Sequence, residues 1–273
     1  MSAAHVDLAS VVTLLIVPGN RPDRFAKAAT AGADLVVCDL EDAVPTDAKD
    51  AARSAVIDWL ADGRGAAVRV NASGTAPHLA DLAALAAVGG DLGGVLVPMA
   101  ETPESLAAVV EALPGIPVMA LVETARGVRA AAELAAVEGV VRLGVGHLDL
   151  AADLGADPDG PLIAHCRHEV VLAARTAGSA PPVDGVTARV RDEELVAAEA
   201  SAARRSGFGG KLCIHPAQID PVAAAFAPSA QETAWARRVL TAAGGGVSVV
   251  DGAMVDAPVL ARARSILTRA EHT

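Results

Sequence analysis

The feature that most constrains this chain is a repeat of pattern rather than of sequence. Eight short apolar runs occur along it, each followed by a helical stretch. Leu14–Val17 leads into 21–31, Leu35–Leu40 into 47–60, 67–70 into 77–87, and 95–98 into 103–113. Val118–Val122 leads into 125–136, and 140–144 into 148–154 and then 163–177. A weaker run, 183–186, precedes 192–205, and 211–214 precedes 217–225. Strands that alternate with helices build βαβ units on a parallel sheet. Eight such units predict a closed α/β structure, the (β/α)₈ TIM barrel. The rival is an open doubly wound sheet, which a glycine-rich dinucleotide fingerprint would favour. Gly144-Val145-Gly146 is the nearest approach, but its last required glycine is Asp149.

The barrel is expected over 1–228. Residues 229–273 are expected to form a C-terminal helical extension or lid. Within that tail, 231–243 reads as a helix, 244–246 as a flexible glycine break, 247–250 as a short run and 258–270 as a final helix.

Composition sharpens this reading. Hydrophobic residues make up 52% of the 273 positions, yet aromatics are only 2% and tyrosine is absent. The core must therefore be aliphatic, as suits buried parallel strands covered by helices. The net charge of −11 argues against a nucleic-acid partner, which calls for a basic face. Three cysteines without paired spacing argue against a disulfide framework and for a reducing cytoplasm. The apolar run 11–17 is too short to span a bilayer and lacks a preceding Lys or Arg, so it is expected to be a strand, with no membrane partner.

In such a barrel the chemistry stands at the C-terminal ends of the strands. Polar residues close most of the runs. Glu123 ends the fifth, and His147 and Asp149 follow the sixth. Two carboxylates from neighbouring strands, with no cysteine or paired histidine beside them, make an oxygen-ligand site suited to Mg²⁺ or Mn²⁺. The alternative is that each carboxylate caps the helix that follows it. Arg69 sits on an otherwise apolar strand, where an idle charge is unfavourable. It can grip a carboxylate with two parallel hydrogen bonds, or pair with Asp39 or Glu41. Asp39, Glu41 and Asp42 close the second run, Asn71 the third and His215 the eighth. Arg21, Arg24 and Lys27 form a cationic set after the first strand, open to phosphate binding or to solvent.

At these residues the sequence resembles the citrate lyase β-subunit-like branch of the HpcH/HpaI aldolase superfamily. The matching segments are Pro18-Gly19-Asn20-Arg21-Pro22-Asp23-Arg24-Phe25, Asp39-Leu40-Glu41-Asp42, Val68-Arg69-Val70-Asn71, Leu121-Val122-Glu123-Thr124, Asp149-Leu150-Ala151-Ala152-Asp153, Gly210-Lys211-Leu212-Cys213-Ile214-His215-Pro216, and Met254-Val255-Asp256-Ala257-Pro258. The resemblance implies a barrel enzyme, trimeric or hexameric, with Mg²⁺ on Glu123 and Asp149. It implies that Arg69 holds the keto-acid partner and that Arg21 and Lys27 lie near the phosphates of an acyl-CoA. Asp256 would be an acid/base group on a lid that closes over a neighbouring subunit's site. Glu41 is counted with Asp256 and Arg69 among the catalytic groups, and Asn71 and Asp42 with substrate binding.

The sequence departs from its relatives at Met99, where lysine is frequent, and at His147-Leu148 before the metal aspartate. The expected activity is a metal-dependent carbon–carbon lyase or synthase on a 3-hydroxyacyl-CoA such as malyl-CoA or citramalyl-CoA, with thioester hydrolysis as a companion. The alternatives are a class II pyruvate-type aldolase on free hydroxy-oxo acids and a non-catalytic acyl-CoA-binding subunit of a larger complex.

Overall fold

In the computed structural model, residues 7–88, 92–242 and 248–271 are described. The chain divides into two compact units, Met1–Val222 and Ala223–Thr273. The sequence reading placed its boundary at 228/229.

The first unit begins with β1 (Thr13–Pro18), α1 (Phe25–Ala29), β2 (Leu35–Asp39), α2 (Lys49–Ala61), β3 (Ala66–Arg69), α3 (Ala76–Val88), β4 (Leu92–Val97) and α4 (Pro103–Ala112). It continues with β5 (Val118–Val122), α5 (Ala125–Ala135), β6 (Val140–Val145), α6 (His147–Leu154), α7 (Pro161–Thr176), β7 (Ala180–Asp184), α8 (Glu193–Arg205) and β8 (Gly210–Cys213). The strands form a closed barrel in sequence order, every neighbour parallel, and β1 closes on β8 through Thr13 opposite Lys211. The fold is thus the (β/α)₈ barrel that the eight-fold pattern predicts. The seventh strand lies earlier than the run 183–186 suggested, because the Pro181-Pro182 stretch belongs to it. The first helical stretch is shorter than 21–31: Pro22–Arg24 is a 3₁₀ turn that leads into α1.

Side-chain alternation decides what fills the barrel. Leu35 and Val37, Ala67, and Met119 and Leu121 share one buried cluster with Leu14, Leu96, Val183 and Leu212. Asp39, Arg69 and Glu123 stand two residues further along the same faces, so they continue these inward rows as the chain leaves the sheet. Cys38 has the opposite parity and is buried, as are Cys166 and Cys213, and all three are free thiols. Burial pushes Cys38 and Cys213 up to about 12, which leaves them unreactive at neutral pH.

At the other end of β6 lies Arg142, 1% exposed. Its guanidinium donates to the carbonyls of Pro181 (2.6 Å) and Val11 (2.6 Å). It ties the segment before β1 to β7 without a carboxylate in hydrogen-bond contact among the described residues, and burial lowers it to about 10.

The helix α9 (Ile219–Phe226) crosses the division between the units. The second unit contains α10 (Ala230–Ala242), the antiparallel hairpin of β9 (Ser248–Val250) and β10 (Ala253–Val255), and α11 (Ala257–Glu271). Ala236 and Val239 of α10 pack with Ala263 and Ile266 of α11 in a core of their own. The hairpin turns at Asp251 (φ 51°) and Gly252 (φ 81°). The expected glycine break at 244–246 lies outside the described residues. Among the described residues, no helix is long and apolar enough to cross a membrane.

Candidate active site

The end of β2 supplies a fully buried acid. Asp39 is 0% exposed and faces Arg69 across the β2–β3 ladder. Arg69 donates to it twice, Nε to Oδ1 at 2.7 Å and Nη2 to Oδ2 at 2.8 Å. Asp39 also accepts the backbone N–H groups of Glu41 (2.9 Å) and Ala43 (3.0 Å), so the loop after β2 folds around its carboxylate. The structural partnership considered for Arg69 is therefore present. Its third nitrogen, Nη1, lies 3.2 Å from Glu41 and 3.7 Å from Asp42. Burial opposes the Arg69 charge, but Asp39 outweighs it and raises the pKa above its ordinary value.

Glu41 is the discordant member. Its Oε2 is buried and accepts no hydrogen bond. The 3.2 Å approach to Arg69 is an ion contact without hydrogen-bond alignment. Burial pushes its carboxyl up to about 8, against the pull of Arg69.

Glu123 follows β5 and is 3% exposed. Its Oε2 accepts the backbone N–H of Met99 at 2.8 Å. Burial pushes it up to about 7, with the Met99 N–H and Arg69 opposing and Asp149 adding repulsion. Asp149 is exposed in the first turn of α6. It is raised by burial and by Asp42, with Arg69 opposing. Asp149 thus repels Glu123, and both sit in the field of Asp42 and Arg69.

This donor set fits a hard divalent ion. Two carboxylates stand within electrostatic reach, and among the described residues a nearby carboxylate oxygen of Glu41 accepts no hydrogen bond. Among the described residues no three His, Cys, Asp or Glu converge as a complete metal cage. A site of two protein carboxylates leaves other positions for water and substrate oxygens, as Mg²⁺ prefers.

The remaining expected residues fall in different surroundings. Asn71 is 5% exposed and donates from both its backbone N–H (2.9 Å) and its side chain (2.7 Å) to Asp81 on α3. Arg21 is bound to Asp23 through two hydrogen bonds, at 2.8 and 2.7 Å, on the surface. Lys27 and Arg24 line a cleft of about 540 Å³ beside Pro18, Ile214, His215 and Pro216. His215 accepts the backbone N–H of Ala217 through Nδ1 (3.1 Å) and so caps the turn after β8. Asp256 lies in the second unit. It is exposed and caps α11, accepting the N–H of Val259 at 3.1 Å.

The sequence reading missed a cleft of about 140 Å³, lined in part by His147, Arg167, Asp184, Glu199 and Lys211. Lys211 is 2% exposed. It donates to the Gly185 carbonyl at 2.7 Å and to Asp184 at 3.3 Å. Arg167 holds the other Asp184 oxygen at 2.8 Å. Gly185 packs so tightly on His147 that a Cβ there would overlap the imidazole, and burial lowers the pKa of that ring. Lys211 was read as the start of an apolar run and as part of a segment shared with the family, without a role of its own. Its charge inside that run was the available signal.

The family model for HpcH/HpaI aldolase/citrate lyase matches residues 13–216, most of the chain. The chain belongs to this family. A second model, carbon–carbon bond lyase of the TIM-barrel fold, matches 164–273 and so takes in the second unit. A citrate lyase subunit beta-like protein of Mycobacterium tuberculosis is 44% identical over 265 residues, 94% of each chain. A (3S)-malyl-CoA thioesterase of Cereibacter sphaeroides is 37% identical over 271 residues, 95% of this chain and 94% of that one. Among solved structures, CitE of Mycobacterium tuberculosis in complex with magnesium, acetoacetate and coenzyme A superposes with a TM-score of 0.86 at 40% identity, over 97% of this chain and 100% of that chain. As a member of this aldolase and lyase family the chain is an enzyme, and its acidic barrel mouth is the candidate active site.

Proposed function

We propose that this enzyme breaks or makes the carbon–carbon bond of a 3-hydroxyacyl-CoA such as malyl-CoA or citramalyl-CoA, using Mg²⁺ held by Glu123 and Asp149. The observation that carries the proposal is the pairing of these two carboxylates at one barrel mouth, where burial pushes Glu123 up to about 7 and Asp149 adds repulsion. Magnesium bound with acetoacetate and coenzyme A in the CitE structure supports the same ligand set here. When bound, the ion supplies Lewis-acid polarisation of the keto-acid oxygen.

The chain's own residues do the rest. Arg69, fixed by Asp39, presents Nη1 toward the acid group of the keto-acid half. Asp42 and Glu41 border that position, and Asn71, two residues beyond Arg69 and held by Asp81, is assigned to substrate binding. The cleft lined by Arg24 and Lys27 takes the CoA phosphates, with Arg21 at its edge in exchange for Asp23. In the cleavage direction the bond between the hydroxyl carbon and the thioester's α-carbon breaks. The hydroxyl proton leaves, the hydroxyl carbon becomes the keto-acid carbonyl, and the α-carbon is protonated to give acetyl-CoA. Asp256 moves the proton at that carbon from a neighbouring copy of the chain, in a trimer or hexamer. Hydrolysis is the second outcome when water attacks the same thioester, and the thioesterase relative supports it.

The test is purified protein with Mg²⁺ and a panel of 3-hydroxyacyl-CoA esters. Release of keto acid or free CoA, lost in chelator and in Glu123→Gln, is expected. Turnover of free hydroxy-oxo acids alone would instead favour the aldolase reading, and no turnover of any ester would overturn the proposal.

A further inference from the structure

Met99 has a left-handed backbone, φ 50°. It is one of two non-glycine residues with positive φ among those described, and it stands at the end of β4 rather than in a hairpin turn. A side chain there is disfavoured by contact between Cβ and the backbone, so such conformations persist where the surroundings demand them. The demand is visible. The turned backbone aims the Met99 N–H at Glu123 Oε2, 2.8 Å away.

The other side of the carboxylate meets a second backbone surface. A Cβ on Gly146 would overlap Glu123 Oε1, Cγ and Cδ. Both surfaces are tethered to β5, the strand that carries Glu123. Ala100, next to Met99, donates its N–H to Leu121 O at 3.0 Å, and Gly146 donates to Val122 O at 3.1 Å. Backbone hydrogen bonds therefore tie the segments after β4 and β6 to the end of β5, just ahead of Glu123. Gly146 is also the residue before α6, three positions ahead of Asp149.

We propose that Met99 and Gly146 form a backbone clamp that fixes the Glu123 carboxylate in the orientation required for the divalent ion, which makes them positioning residues. The clamp rests on the metal reading above. It gives Met99 a task in its main chain, independent of which side chain stands there. The side chain must tolerate a left-handed backbone, and position 146 must carry no Cβ. Partners that orient a metal ligand are worth about 10- to 100-fold in metal affinity.

The test measures Mn²⁺ affinity by electron paramagnetic resonance on the full chain, with thermal unfolding in chelator as the check on folding. Met99→Val puts a β-branched residue where it resists positive φ, and it should weaken Mn²⁺ binding about tenfold or more. Met99→Gly keeps the N–H and accepts the same φ, and it should bind Mn²⁺ like the wild type. Gly146→Ala should lose affinity as Met99→Val does, and the Met99 pair carries the test if that variant does not fold. Wild-type affinity in Met99→Val, or equal losses in Met99→Gly and Met99→Val, would overturn the clamp and leave the metal reading intact. No Mn²⁺ binding by the wild type would overturn both.

Discussion

The pair Asp39–Arg69 offers the sharpest stability prediction. Asp39 is fully buried and Arg69 is 9% exposed. Four hydrogen bonds converge on the aspartate, two from the guanidinium and two from the backbone. Asp39→Ala leaves the buried guanidinium without its two-point partner, and Glu41 reaches only its Nη1, at 3.2 Å and without hydrogen-bond alignment. Leaving one partner of a buried pair unpaired costs about 3–5 kcal/mol, which for a chain of this size lowers Tm by roughly 6–15 °C. The double variant Asp39→Ala/Arg69→Met removes both charges, so it should be no worse than Asp39→Ala alone and should recover part of the loss. Calorimetry or urea unfolding of the four proteins at pH 7 measures this cycle. A Tm within about 2 °C of wild type for Asp39→Ala, or additive losses in the double variant, would refute the reasoning.

Four further outcomes follow from the same geometry. Glu123 at about 7 must lose its proton to hold a cation, so metal affinity should rise about tenfold from pH 6 to pH 8, measured by titration calorimetry. The linked sign for the metal-free protein is opposite. The folded state holds this proton above the pH where the unfolded chain releases it, so this contribution to stability is present at pH 4 and is lost as pH rises through about 7, seen as a falling Tm in chelator. Arg24→Ala with Lys27→Ala should weaken CoA binding several-fold, and more at low salt than at high salt, because the lost contacts are exposed charges. Lys211→Met should destabilise the barrel by a few kcal/mol, as it removes the Lys211 donor from one oxygen of Asp184 and from the Gly185 carbonyl, and Tm reads this directly.

The barrel was legible because its signal is periodic. Eight apolar runs spaced by helical stretches admit few folds, and a closed parallel sheet satisfies all of them. The acidic mouth was legible for a related reason: Asp39, Arg69 and Glu123 each end a run at the parity of its inward face. Local backbone geometry was not legible. Nothing in Val97-Pro98-Met99 announces a left-handed residue, and nothing marks Gly146 as the floor beneath a carboxylate. Both depend on how three strands stop relative to one another. Arg69 shows another limit, since the sequence offered Asp39 and Glu41 as partners without ranking them. The register that sets Asp39 opposite Arg69 decided it. Arg142 and Lys211 were hidden inside apolar runs, where a single charge is easily passed over. The hairpin of β9 and β10 was half seen, because its second strand is only Ala253-Met254-Val255.

The central claim is that Glu123 and Asp149 hold one divalent ion. Anomalous X-ray scattering from crystals soaked in Mn²⁺ measures that position directly. The account predicts one strong peak within bonding distance of both carboxylates, lost in Glu123→Gln. A peak elsewhere in the barrel, or none at saturating Mn²⁺, would contradict it.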